Sequence, residues 1–136
     1  MPQTVTDQAS MQSYYQQWQP QFAAGTQRVY ANSSIGLFAH LAVAANGQSY
    51  ADAFAGLKTA LKLNQTFLQV PQAFAAQYAW GYHEGKPIRV GAGMLLDEAG
   101  GAKGSVRDVA SWVQANLHPD QVSSPGLKNA IARSQQ

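Results

Sequence analysis

The chain has 136 residues, 46% of them apolar and 12% charged, which suits a single domain with a real core and argues against disorder. Its net charge is only +2 and its nine basic residues are spread from Arg28 to Arg133, so no basic patch is available as a nucleic-acid footprint. There is no cysteine, which excludes disulfides, thiolate metal sites and a cysteine nucleophile.

Residues 1–7 are polar and expected to be loose. Their start, Met1-Pro2-Gln3-Thr4, lacks the basic end and apolar run of a signal peptide. No apolar stretch reaches the roughly 18 residues needed to span a bilayer. The expectation is a soluble chain with no membrane role and no export address, cytoplasmic as expressed. Thr6 or Asp7 can cap a first helix over about Gln8 to Trp18, with Met11, Tyr14, Tyr15 and Trp18 on one face as core rather than ligand platform. Pro20 stops that helix and Gly25-Thr26 turns the chain.

Ser33 or Asn32 can cap a second helix that runs to Ala45 and ends at Asn46-Gly47. Being apolar nearly all round, it is expected in the middle of the domain. His40 within it reads as a packed or rim residue. Tyr30 and Asn32, two apart just before this helix, would set a phenol beside an amide. Taken alone, Tyr30 reads as a half-buried loop aromatic. Ser49 caps a third helix over Tyr50 to Leu61, with Ala53, Phe54, Leu57 and Leu61 at helical spacing. Phe67 to Val70 is a short extended run ended by Pro71, with a short helix over Pro71 to Ala76.

The period then changes. Tyr78 to Tyr82 and Pro87 to Val90 alternate around His83-Glu84-Gly85-Lys86, a hairpin signal with a four-residue loop. Residues 91–104 hold five of the twelve glycines and read as a long irregular loop, with Asp97-Glu98 in a solvated turn. Ser105-Val106-Arg107-Asp108 opens the next helix with a capping-box pattern, Asp standing where Glu or Gln is usual. Val109, Trp112, Val113 and Leu117 form its stripe, and His118-Pro119-Asp120 ends it. A last helix runs from about Pro125 to Arg133, with Leu127 and Ile131 buried and residues 134–136 loose. The fold class expected is mainly α, a compact bundle of about five helices with one small hairpin, as a single domain over 1–136. No metal site or cofactor is expected, since His40, His83 and His118 lack ligand spacing and the glycines follow no phosphate-loop pattern.

The run from Trp18 to Phe38, with Trp18, Pro20, Gly25-Thr26, Arg28, Tyr30-Ala31-Asn32 and Ser33-Ser34-Ile35-Gly36-Leu37-Phe38, resembles the Tyr-Ala-Asn segment of class C serine β-lactamases. The resemblance continues through Leu61 to Phe67, Val70-Pro71, the Tyr78 to Lys86 hairpin, and Asp108 to Leu117 with Trp112, Val113 and Asn116 in register. It implies the helical domain that this family inserts into an α/β domain. It further implies a β-lactam substrate in the intact enzyme and a complementary α/β domain as partner, in a periplasmic parent.

By the same resemblance, Tyr30 is the proton-handling phenol of the catalytic pair. Asn32 hydrogen-bonds the substrate's side-chain amide and a catalytic lysine. No Ser here has a Lys three residues later, and no Lys-Thr-Gly occurs; Thr59-Ala60-Leu61-Lys62 and Lys58-Thr59-Ala60 only imitate them. Acyl transfer needs an activated hydroxyl, a base and oxyanion donors, so this chain alone is expected to be inactive. Gly100 and Ala102 stand where the family has Tyr and Val, a drift that an engineered or separately maintained domain would show. The alternatives are a module that complements a separate α/β fragment or self-associates, and a related esterase or penicillin-binding protein, which meets the same missing nucleophile.

Overall fold

Four of the six α-helices among the described residues start on a side chain that satisfies their own first turn. The computed structural model describes every residue except Gln3, Val90 and Ala92. In chain order the elements are α1 (Gln8–Gln17), α2 (Asn32–Ala44), α3 (Tyr50–Leu61), β1 (Thr66–Phe67), a 3-10 helix (Gln72–Gln77), β2 (Gly81–His83), β3 (Lys86–Ile88), α4 (Leu96–Gly100), β4 (Lys103–Gly104), α5 (Val106–Leu117), a short 3-10 turn (Pro119–Gln121) and α6 (Pro125–Ser134). The described residues are mainly helical with two small two-stranded sheets. The elements gather into two compact units, Met1–Gly47 with Trp80–Gly101 and Gln48–Ala79 with Ala102–Gln136.

In the first unit Asp7 caps α1. Its carboxylate accepts from the Ser10 amide at 2.8 Å and the Ser10 hydroxyl at 2.7 Å, and the Ser10 oxygen accepts from the Asp7 amide at 3.1 Å. This is a capping box with serine in the reciprocal place. The core is small: Val5, Met11 and Leu95 are buried, with Tyr14, Tyr15, Leu37 and Met94 packed on them. Val5 therefore belongs to the core, although residues 1–7 were expected to be loose. The amide of Val5 donates to the Pro2 carbonyl and makes a turn that carries it inward.

Helix α2 is not central. Only Gly36 is buried on it, while Ile35, Leu41 and Phe38 (75% accessible) face solvent. An all-round apolar helix signals a need for burial, not the presence of a covering surface. Gly36 is where α2 meets the turn before α4: a Cβ there would lie 2.6 Å from the Leu95 Cβ and 2.7 Å from its carbonyl oxygen. The hairpin is tighter than its sequence suggested. His83 pairs directly with Lys86, so the loop is Glu84-Gly85 alone, with φ of 49° and 74°. Those two positive angles are what a two-residue primed turn demands. Arg89 lies over the Trp80 ring at 3.7 Å.

The second unit is tied by β1 and β4, antiparallel with Thr66 opposite Gly104. Residues 91–104, read as an irregular loop, thus contain α4 and β4. The turn at Leu95 (φ 61°) and the pairing of Lys103 to Phe67 supply order that glycine content concealed. Ser49, Ser105 and Ser124 cap α3, α5 and α6 by accepting from the amides of Asp52, Asp108 and Leu127. Ile131 of α6 and Leu63 are buried in this unit. The stripe of α5 is not: Val109, Trp112, Val113 and Leu117 are all exposed, as is Val106.

Candidate active site

Tyr30 and Asn32 lie at the start of α2, and two ties hold that start. The Tyr15 hydroxyl donates to the Ser33 carbonyl at 2.6 Å, joining α1 to the first turn of α2. One helical turn on, Gly36 packs on Leu95. Between them the backbone at Ala31 is extended (φ −143°, ψ 107°) and serves as the cap, with no side-chain cap bond. The expectation that Ser33 or Asn32 caps α2 is corrected, because Asn32 is already the first helical residue. Its amide is left available to something else.

Tyr30 is 80% accessible, at the end of a run of exposed residues that begins at Gln16. Its reading as a half-buried loop aromatic is corrected too. A phenol ring left in water loses the stabilisation that burying its apolar area would bring, so its position answers no packing demand. Among the described residues no hydrogen bond engages the Tyr30 hydroxyl or the Asn32 side chain. Asn32 and Ser33 also line an open cleft of about 830 Å³, whose other walls include Val5, Thr6, Leu95 and Leu96. The arrangement presents a phenol and an amide, neither committed to the fold, next to a tethered helix start.

Other polar groups that the sequence brought forward have structural partners, His40, Thr59 and Asp108 among them. His40 Nδ1 approaches Glu98 Oε1 at 3.9 Å, both partly buried, where α2 packs on α4. Asp97 and Glu98 are therefore in the first turn of a helix, where carboxylates suit its dipole, rather than in a solvated turn. The Thr59 hydroxyl donates to the Ala55 carbonyl at 2.9 Å, so the imitation of a nucleophile motif is occupied within its own helix. Asp108 is the residue that sequence reading undervalued. It is 5% accessible and accepts from the Gln65 amide and the Thr66 hydroxyl, each at 2.7 Å. The signal was present in the odd Asp at the capping-box position. That side chain serves a loop 43 residues away instead of the cap.

Among the described residues no three His, Asp or Glu gather as a metal site, and no helix is long and apolar enough to cross a membrane. A family model described as Beta-lactamase matches residues 1–136. The chain is 45% identical over 136 residues to a beta-lactamase of Escherichia coli K12, covering 99% of the chain and 36% of that protein. It is 44% identical to one from Yersinia enterocolitica, again over 99% of the chain and 36% of the relative. A Pseudomonas fluorescens beta-lactamase is 44% identical over 96% of the chain and 37% of its own length. The chain thus spans little more than a third of these relatives. With a family match over its full length, and with Tyr30 and Asn32 exposed at a tethered helix start, this chain belongs to the beta-lactamase family.

Proposed function

We propose that the chain is the helical-domain portion of a class C serine β-lactamase, contributing Tyr30 and Asn32 to a β-lactam cleft in a periplasmic enzyme. The observation that carries this reading is Tyr30, an aromatic that the fold leaves 80% accessible directly ahead of α2. In the assembled cleft the phenol relays a proton between the attacking hydroxyl and the leaving amine. The Asn32 amide orients the acyl side chain of the substrate. The nucleophilic serine, its lysine and the Lys-Thr-Gly donors come from the complementary α/β domain. These 136 residues alone hold the proton-relaying phenol and the orienting amide without the nucleophile, and do not turn over substrate.

The purified chain incubated with a chromogenic cephalosporin should give no hydrolysis above buffer. Mixed with an α/β fragment bearing Ser-x-x-Lys and Lys-Thr-Gly, it should give turnover that Tyr30→Phe lowers by about 100-fold or more. Turnover by the chain alone that disappears in Tyr30→Phe would refute the silent-domain reading.

A second reading, a module that assembles through apolar faces, is favoured by Val106, Val109, Trp112, Val113 and Leu117 standing exposed along α5. Light scattering of the chain alone at several concentrations distinguishes the two, because only the second expects self-association. A chain that stays monomeric counts against assembly.

A further inference from the structure

The second unit contains a cavity that the Tyr30 site does not use. It measures about 300 Å³ and lies between the β1–β4 pair and the 3-10 helix. That is the lower end of the range for small-ligand sites, roughly 300–1,000 Å³. Its walls are aromatic and aliphatic: Phe67, Phe74, Tyr78 and Val70. The Phe67 and Phe74 rings are 5.1 Å apart at a 39° tilt, an open book rather than a closed stack. Lys58 already covers Phe67, with its Nζ 4.6 Å from the ring centroid, which holds that wall in place.

One cation lines this apolar space. Lys103, partly buried on β4, donates from Nζ to the Leu68 carbonyl at 2.6 Å. An ammonium has three donors, so two remain. Among the described residues no carboxylate lies within ion-pair distance of it. The buried carboxylate of this unit, Asp108, is outside the lining and is engaged by the Gln65 amide and the Thr66 hydroxyl. A partly buried lysine in a lining that also holds two phenylalanines, with no acid within ion-pair distance among the described residues, calls for an anion carried on an apolar ring.

We propose that this cavity is a binding site for a single-ring aromatic carboxylate, the ring lying against Phe67 and Phe74 and the carboxylate accepting from Lys103 Nζ. Size favours one ring over two fused ones. Charge favours a carboxylate over an amine, and the polar groups at the margin, Gln65 and Gln77, can donate to its second oxygen. The inference is independent of the role given to Tyr30, since every residue it uses belongs to Gln48–Ala79 or Ala102–Gln136.

The test is an amide-proton NMR titration of the full chain with phenylacetate, benzyl alcohol and 2-phenylethylamine. Saturable shifts confined to residues 65–79 and 103–105 are expected with phenylacetate. Binding of the amine should be at least about ten-fold weaker, the charge being reversed with the ring unchanged. Lys103→Gln keeps an N–H for the Leu68 carbonyl and removes the charge. It should weaken phenylacetate about ten-fold while leaving benzyl alcohol unaltered. Equal binding of acid and amine by the unaltered chain, shifts located elsewhere, or no saturation would each overturn the proposal. The comparison of ligands on the unaltered chain does so even where Lys103→Gln fails to fold.

Discussion

Replacing Asp108 with alanine tests how the second unit is held together. The side chain is 5% accessible and receives two short hydrogen bonds, from the Gln65 amide and the Thr66 hydroxyl, both at 2.7 Å. A hydrogen bond to a charged acceptor contributes about 1.5–3 kcal/mol, so the pair would be worth about 3–6 kcal/mol if neither donor found a substitute. Gln65 is exposed and Thr66 only half-buried, so water recovers part of that loss. The expected cost is therefore about 2–4 kcal/mol. Asp108→Asn, which keeps one acceptor oxygen, should cost about half as much.

Urea unfolding followed by tryptophan fluorescence measures the effect, through a lower midpoint at unchanged slope. Thr66→Val removes one of the two donors. In the double variant the losses should be less than additive by about 1 kcal/mol, because the shared bond is lost once. An Asp108→Ala variant within about 0.5 kcal/mol of the parent, or strict additivity with Thr66→Val, would refute the account of this carboxylate as the tie between β1 and α5.

Gly36→Ala should destabilise the first unit by about 1–3 kcal/mol, since the new methyl meets the Leu95 backbone and Cβ, which have little room to yield; an unchanged thermal midpoint would remove the α2–Leu95 contact from the description. Hydrogen bonds from the Ser10 amide and hydroxyl lower the Asp7 pKa below 3.8, so its support of α1 is present above the unfolded value and disappears as pH falls through the lower folded one. Helicity by circular dichroism should therefore drop below about pH 4, and the Asp7→Asn variant should lack that acid-sensitive component. Burial, helped by Tyr14, raises the Tyr15 pKa above 10.0, so its contribution is complete below pH 10 and lost as pH rises through the higher folded value. Absorbance at alkaline pH should show a late-titrating component that Tyr15→Phe removes, and that variant should cost about 0.5–1.5 kcal/mol through the lost bond to the Ser33 carbonyl; an identical titration curve in the variant would disprove the assignment.

Local chemistry was legible from the chain. The caps Asp7, Ser49 and Ser105 were readable because a cap is a bond between a side chain and an amide three residues on. The hairpin and the Tyr30-Ala31-Asn32 segment were readable for the same reason, since turn angles and motif spacing are properties of neighbours. Tertiary structure alone decided which apolar faces are covered. The stripes of α2 and α5 read as core, yet Phe38 and Leu117 are exposed. Periodicity records that a face favours burial and carries no information about the surface that would bury it. It also decided the partners of Asp108 and of β4, 42 and 35 residues away for the Asp108–Thr66 and Lys103–Leu68 bonds, because contacts across such separations depend on how the intervening chain closes.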